Sequence, residues 1–121
     1  MMRKPLNVYI SGPMSGLPLD NFPAFNRMEG LLDAIGANPL NPAKMPKGLS
    51  YRVYMQLDLV LVAASDVIIS LPGHENSKGG RAEKYYGESI QIPSIEWHPD
   101  WGIDGLEQAI LKAVERKDLA A

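Results

Sequence analysis

From residue 22 to residue 35, apolar side chains recur at spacings of three and four: Phe22, Phe25, Met28, Leu32 and Ile35. That rhythm predicts a helix with one buried face. Asp20 or Asn21 is placed to cap it, Pro23 falls in its first turn, and Gly36 closes it. A second helix is predicted from Ser50 to about Ala64, with Val53, Leu57, Val60 and Leu61 as its apolar face. A third begins at Ser77 in a glycine-rich stretch and runs to about Ile90. The last runs from Ile103 to about Lys117, with Leu106, Ile110, Ala113 and Val114 turned inward.

Between these helices lie short aliphatic runs. Leu6–Ile10 stops at Ser11-Gly12-Pro13, Ala37–Asn41 stops at Pro42, Asp66–Leu71 stops at Pro72, and Ile92–Trp97 precedes the last helix. The Asp66–Leu71 run is nearly continuous rather than alternating, as a strand covered on both faces would be. Strand and helix alternate four times. The expected fold is therefore α/β: a parallel sheet of four to five strands with helices on both faces, one domain over residues 1–121. Right-handed crossovers put every strand-to-helix loop on one edge of such a sheet, where ligands bind. Loops Ser11–Asp20, Pro42–Leu49 and Pro72–Gly80 should then line one crevice.

Composition narrows the function classes. The 121 residues are 45% apolar and 21% charged, an ordinary globular balance. There is no cysteine, which excludes disulfides, thiolate metal sites and cysteine nucleophiles. The net charge of −2 cannot build a broad basic surface, so polymeric nucleic acid is not an expected partner. No run approaches the ~18–20 apolar residues of a membrane span, and the Met1–Pro5 start carries no small-residue cleavage pattern. A cytoplasmic domain is expected.

Three features can carry chemistry. Ser77-Lys78-Gly79-Gly80-Arg81-Ala82-Glu83 lies between a buried strand and a helix. Its glycines allow close approach to the backbone, and a helix start suits an anion or a hydroxyl-rich ligand. Glu83 sits one and a half turns in, near the expected pocket floor; a plain glycine-rich turn with a solvated Glu is the alternative. Tyr9 to Gly16 (Tyr-Ile-Ser-Gly-Pro-Met-Ser-Gly) follows the first strand and could hold a sugar or phosphate, or be an ordinary loop. Asp58 stands among apolar neighbours in the second helix, where it would orient a substrate or shift the proton affinity of Glu83, unless it faces solvent. Asp66 reads as a helix-to-strand turn residue, and Arg81 as a phosphate ligand or a structural pair. His74 and His98 show no metal-ligand spacing, so no metal is expected. The Trp97–Trp101 segment is a core, dimer or lid element.

Together these motifs resemble the nucleoside 2-deoxyribosyltransferase-like superfamily. The likeness is greatest to its small, often phage- or prophage-borne members, which share the Tyr9–Gly16 start followed by Asn21-Phe22-Pro23-Ala24-Phe25. The pattern Ser-x-Gly-x-x-x-Glu, met by Ser77, Gly79 and Glu83, also occurs in 2'-deoxynucleoside 5'-monophosphate N-hydrolases. The resemblance covers residues 7–96 and implies a Rossmann-like, flavodoxin-like sheet. It implies cleavage of the N-glycosidic bond of a (deoxy)nucleoside or nucleoside 5'-monophosphate, with transfer to water or a second base. Carried over, Glu83 is the nucleophile, Asp58 protonates or orients the base, and Tyr9 holds the nucleophile. Ser11, Gly12 and Ser77 would line the sugar or its 5' end, and Gly79 would let it come close. No cofactor is implied, and a homodimer or higher homo-oligomer is. A nucleotide-binding module without turnover is the alternative function. A structural protein with a relic pocket ranks lower, as does the lysine-decarboxylase-like group echoed by Pro72-Gly73 and Gly79–Glu83.

Overall fold

Val67–Ser70 is buried at every position, which a strand can be only when helices cover both faces of its sheet. The computed structural model describes residues 2–120, and this strand, β3, lies inside a four-stranded parallel sheet. In chain order the elements are β1 (Asn7–Ser11), α1 (Phe22–Ala34), β2 (Asn38–Leu40), α2 (Tyr51–Ala64), β3, α3 (Lys78–Ser89), β4 (Ser94–Glu96) and α4 (Gly102–Ala120). The strand order is β2-β1-β3-β4. This is the flavodoxin-like order, whose switch point lies between β1 and β3.

The strands' two-residue period sorts the core into two layers. Val8 and Ile10 of β1 and Val67 and Ile69 of β3 pack with α1 (Phe25, Met28, Leu32) and α4 (Leu106, Ile110, Ala113). Tyr9 and Ile68 point the other way and pack with Val62 of α2, Ile92 and the partly buried Tyr86 of α3. At the end of the sheet away from the crevice, the Asp66 carboxylate accepts the Asn7 N–H at 2.8 Å, a turn-anchoring role.

Two local expectations are corrected. The buried side of α2 is not the one that its aliphatic spacing predicts. Val62 is fully buried, while Val60 is 66% exposed and Leu57 38%. The helix is apolar nearly all round, so spacing alone could not choose a face. Docking at Met55, Asp58 and Val62 turns Asp58 toward the sheet. The second correction concerns Asn21. It stands at the N-cap of α1 in a left-handed conformation and makes no side-chain cap; its amide donates instead to the Pro13 carbonyl at 2.9 Å. This ties the loop after β1 to the start of α1.

One glycine sets how closely α3 approaches the sheet. A Cβ at Gly87 would lie 2.6 Å from Ile68 Cδ1, inside the packed layer. Gly87→Ala should therefore lower the unfolding free energy by about 1–3 kcal/mol. Gly30→Ala, on α1 with open space around its Cβ, should be neutral or stabilising by up to about 1 kcal/mol. Urea titrations of both variants check this; an unaffected Gly87→Ala would mean that the helix can shift without cost.

Candidate active site

Tyr9 and Ser11 lie two residues apart on β1, so both side chains leave the same face of the sheet. They point at α3, and there they meet Glu83. The Tyr9 hydroxyl donates to Glu83 Oε2 at 2.9 Å, and the Ser11 hydroxyl donates to Oε1 at 2.7 Å. Each carboxylate oxygen thus has one fixed donor. Glu83 is only 5% exposed, and Tyr9 and Ser11 are sealed from solvent. Ser77 caps α3 by accepting the Gly80 N–H at 3.0 Å, which fixes the helix start and the phase at which Glu83 emerges.

Asp58 approaches from α2. Its Oδ1 is shielded from solvent and accepts no hydrogen bond among the described residues. Burial is the main influence on the proton affinity of all three titratable groups. Glu83 stands raised to about 8: burial pushes it up most, the Ser11 hydrogen bond pulls back, the Asp58 charge pushes further, and the Tyr9 hydrogen bond pulls back. Burial also raises Asp58, while its contact with Glu83 opposes the rise. Tyr9 is driven well above the usual phenol range by burial and then by the charges of Glu83 and Asp58. Two carboxyls forced together in a dry site favour states in which they share protons.

The carboxyls open into a two-part cleft at the carboxyl ends of the strands. An inner chamber of about 80 Å³ has Glu83, Asp58, Gly12, Ser77 and Gly79 in its wall. Met14, Pro42 and Asp58 also border an outer chamber of about 740 Å³, whose walls include Phe22, Tyr51, Tyr54, Met45 and Lys47. All three predicted loops contribute. The Tyr54 hydroxyl donates to the Pro46 carbonyl at 2.7 Å and accepts the Leu49 N–H at 3.2 Å, pinning the turn that carries Lys47.

The seven site residues expected from sequence converge here, with two differences in detail. Ser11 lies beneath the chamber, holding Glu83 rather than facing the cleft. Gly12 is required by the fold as well: a Cβ there would stand 2.9 Å from Leu71 Cβ. At Gly79 the nearest atom to a Cβ would be Met55 Sδ at an ordinary 3.4 Å. Arg81 donates to the Glu75 carbonyl at 2.9 Å and so ties the turn before α3. His74, buried in that turn, reaches Glu96 at the end of β4 at 3.2 Å. Sequence reading missed Tyr51, Tyr54 and Met55 as cleft residues. The available signal was their spacing to Asp58, since 51, 54, 55 and 58 share one side of a helix.

The fold is that of the nucleoside 2-deoxyribosyltransferase-like class. The 2-deoxyribosyltransferase of Leishmania mexicana superimposes with a TM-score of 0.64 at 20% identity, over 77% of this chain and 64% of the other. The present chain thus spans less than two thirds of that relative's length. The chain itself belongs to the DUF4406 family, described as a domain of unknown function, whose profile matches residues 6–95. No curated protein matches the sequence. Among the described residues no helix is long and apolar enough to cross a membrane.

The raised Glu83 fixes the sign of a stability effect. Between its ordinary value near 4.5 and about 8, the unfolded chain releases this proton while the folded chain keeps it. Stability from this group is therefore present at low pH and lost as pH rises through that window, by an amount on the order of a few kcal/mol. Glu83→Gln removes the titration. Thermal unfolding from pH 5 to pH 9 should show the variant gaining on the parent as pH rises; a constant difference would refute the assignment.

Proposed function

We propose that the chain cleaves the N-glycosidic bond of a (deoxy)nucleoside or nucleoside 5'-monophosphate, with Glu83 as nucleophile. The observation that carries this reading is the buried Glu83 carboxyl, oriented through both oxygens by hydroxyls and set beside a second carboxyl at the floor of a cleft. The carboxylate form of Glu83 attacks the anomeric carbon. The carbon–nitrogen bond breaks, its electron pair leaves with the base, and protonated Asp58 gives its proton to the base. The sugar remains as an ester on Glu83. Water or a second base then attacks the same carbon, Asp58 takes up the released proton, and the Glu83 carboxylate departs. This is the double displacement of retaining glycosidases applied to an N-glycoside.

The reaction requires one carboxyl ionised and the other protonated, which is the state that two buried neighbours favour. Negative charge beside the anomeric carbon stabilises an oxocarbenium-like transition state. Tyr9 and Ser11 hold the attacking oxygen at a fixed angle. Gly12, Ser77 and Gly79 line the pentose, and the base passes Asp58 into the aromatic outer chamber. The deoxyribosyltransferase relative supports this reading by sharing the fold.

The test is chromatographic detection of free base from deoxynucleosides and their 5'-monophosphates, with and without a second base. Glu83→Ala should abolish release, and Asp58→Asn should lower kcat by about 10²–10⁴-fold. The pH–rate limb that reports Glu83 ionisation should move up in Ser11→Ala, which loses a stabilising donor. It should move down in Asp58→Asn, which loses a repelling charge. Base release that survives Glu83→Ala would sink the nucleophile assignment. Retention of intact substrate for hours would mark a binding module instead.

The active form is also proposed to be at least a dimer, since α2 leaves Tyr51, Leu57 and Val60 exposed beside an open cleft. Light scattering at micromolar concentration should give at least twice the 13.3 kDa chain mass. A 13.3 kDa species would refute it.

A further inference from the structure

We infer that Asn26 is a specificity residue: it favours a ligand that turns a carbonyl oxygen toward the outer chamber over one that turns an exocyclic amine there. The inference rests on the proposed N-glycosidase reading, which puts the base in that chamber, and goes beyond it by naming the residue that reads the edge of the ring.

A side-chain amide can present either its oxygen or its NH2 group, and its surroundings decide which. Here the choice is made at Asn41, a residue 7% exposed at the start of the turn after β2. The Ala43 N–H can only donate, and it donates to Asn41 Oδ1 at 2.9 Å. The Asn41 NH2 group is therefore turned toward α1. There it donates to Asn26 Oδ1 at 3.1 Å and to Glu29 Oε1 at 3.4 Å. Glu29, three residues beyond Asn26 on the same helix, is paired through Oε2 with Lys44 Nζ at 3.3 Å. Every donor in this relay meets an acceptor. Asn26 is left with its oxygen occupied and its NH2 group without a partner among the described residues, at the wall of the outer chamber. Turning the amide over would break the Asn41 bond and set two NH2 groups face to face, so its polarity is fixed.

The other polar side chains of that wall do not select in this way. The Tyr54 hydroxyl is committed to Pro46 and Leu49. The Tyr51 hydroxyl can donate or accept, so it suits either kind of edge. Asp20 and Lys47 are exposed, and their side chains have no partner among the described residues to hold them in one orientation. Phe22, one turn before Asn26 on α1, borders the same chamber. A flat apolar face and a fixed pair of donors thus stand side by side, which suits a heteroaromatic ring with a carbonyl on its edge. A carbonyl gains a hydrogen bond there, whereas an amine sets donor against donor. Because Asn26 is exposed, the difference falls at the low end of such effects, about 5–10-fold in an equilibrium constant.

The test measures binding apart from turnover, with nucleosides whose base is joined by a carbon–carbon bond that the proposed chemistry does not break. The pairs are 2'-deoxy-9-deazainosine with 2'-deoxy-9-deazaadenosine, and 2'-deoxypseudouridine with 2'-deoxypseudocytidine. Members of a pair differ in one carbonyl against one amine, with the ring proton that follows it. Calorimetry on the unaltered protein should show the carbonyl member of a pair binding about 5–10-fold more tightly. Asn26→Asp, which offers acceptors only, should reverse the preference. Asn41→Asp leaves Asn26 in place but gives it an acceptor to donate to, so the Asn26 oxygen turns to the chamber and the preference should again be lost or reversed. Should the buried Asn41→Asp variant fail to fold, the exposed Asn26→Asp decides. Equal or tighter binding of the amine member by the unaltered protein overturns the inference. So does a carbonyl preference that survives Asn26→Asp unchanged, or no binding of either pair. Base release from ordinary deoxynucleosides with a choice of base indifferent to Asn26 would sink this inference and spare the glycosidase reading. Selective binding without any base release would do the reverse.

Discussion

The site depends on a single buried carboxyl. Glu83 is held in a dry layer between the sheet and α3 by one hydroxyl on each oxygen, with a second carboxyl beside it. Burying such a group without partners is costly. The fold meets that cost with two donors on one strand, Tyr9 and Ser11, whose two-residue spacing aims both at the same point. The compensation is incomplete, because burial and Asp58 still raise the Glu83 proton affinity. A strongly shifted group in a cleft is the mark of a candidate functional site.

The surrounding architecture serves this contact. Parallel pairing sets Ser11 beside Ser70, so the ends of β1 and β3 are level and the crevice opens above them. Ser77 fixes the first turn of α3, and Gly87 lets the same helix press against Ile68. α2 lies next to α3 and contributes Asp58 from its inner face. Positions that look like ligand contacts in the sequence divide in the structure between those that face the cleft and those that hold the residues that do. Ser11 is of the second kind, and Gly12 is needed for strand packing as much as for access.

The alternating elements, the parallel sheet and the three loops of the crevice were legible in the sequence, because period and punctuation are local properties of the chain. So were the candidates Tyr9, Ser11 and Glu83, through motifs flanking predicted strand ends, and Asp58, as a carboxylate among apolar neighbours in the second helix. The inward face of α2 was not. Its fourteen residues are apolar on nearly every side, and only docking against α3 and the sheet decided that Val62 is buried and Val60 exposed. The aromatic wall of the outer chamber was hidden for the same reason, since Tyr51 and Tyr54 belong to that helix.

What the sequence determined by itself is the order of elements and the supply of chemical groups. What the tertiary structure alone decided is their electrostatic state. The proton affinity of Glu83 is not a property of any one segment. It arises when residues 72–74 positions apart in the chain meet in a low dielectric, where burial and neighbouring charge act together.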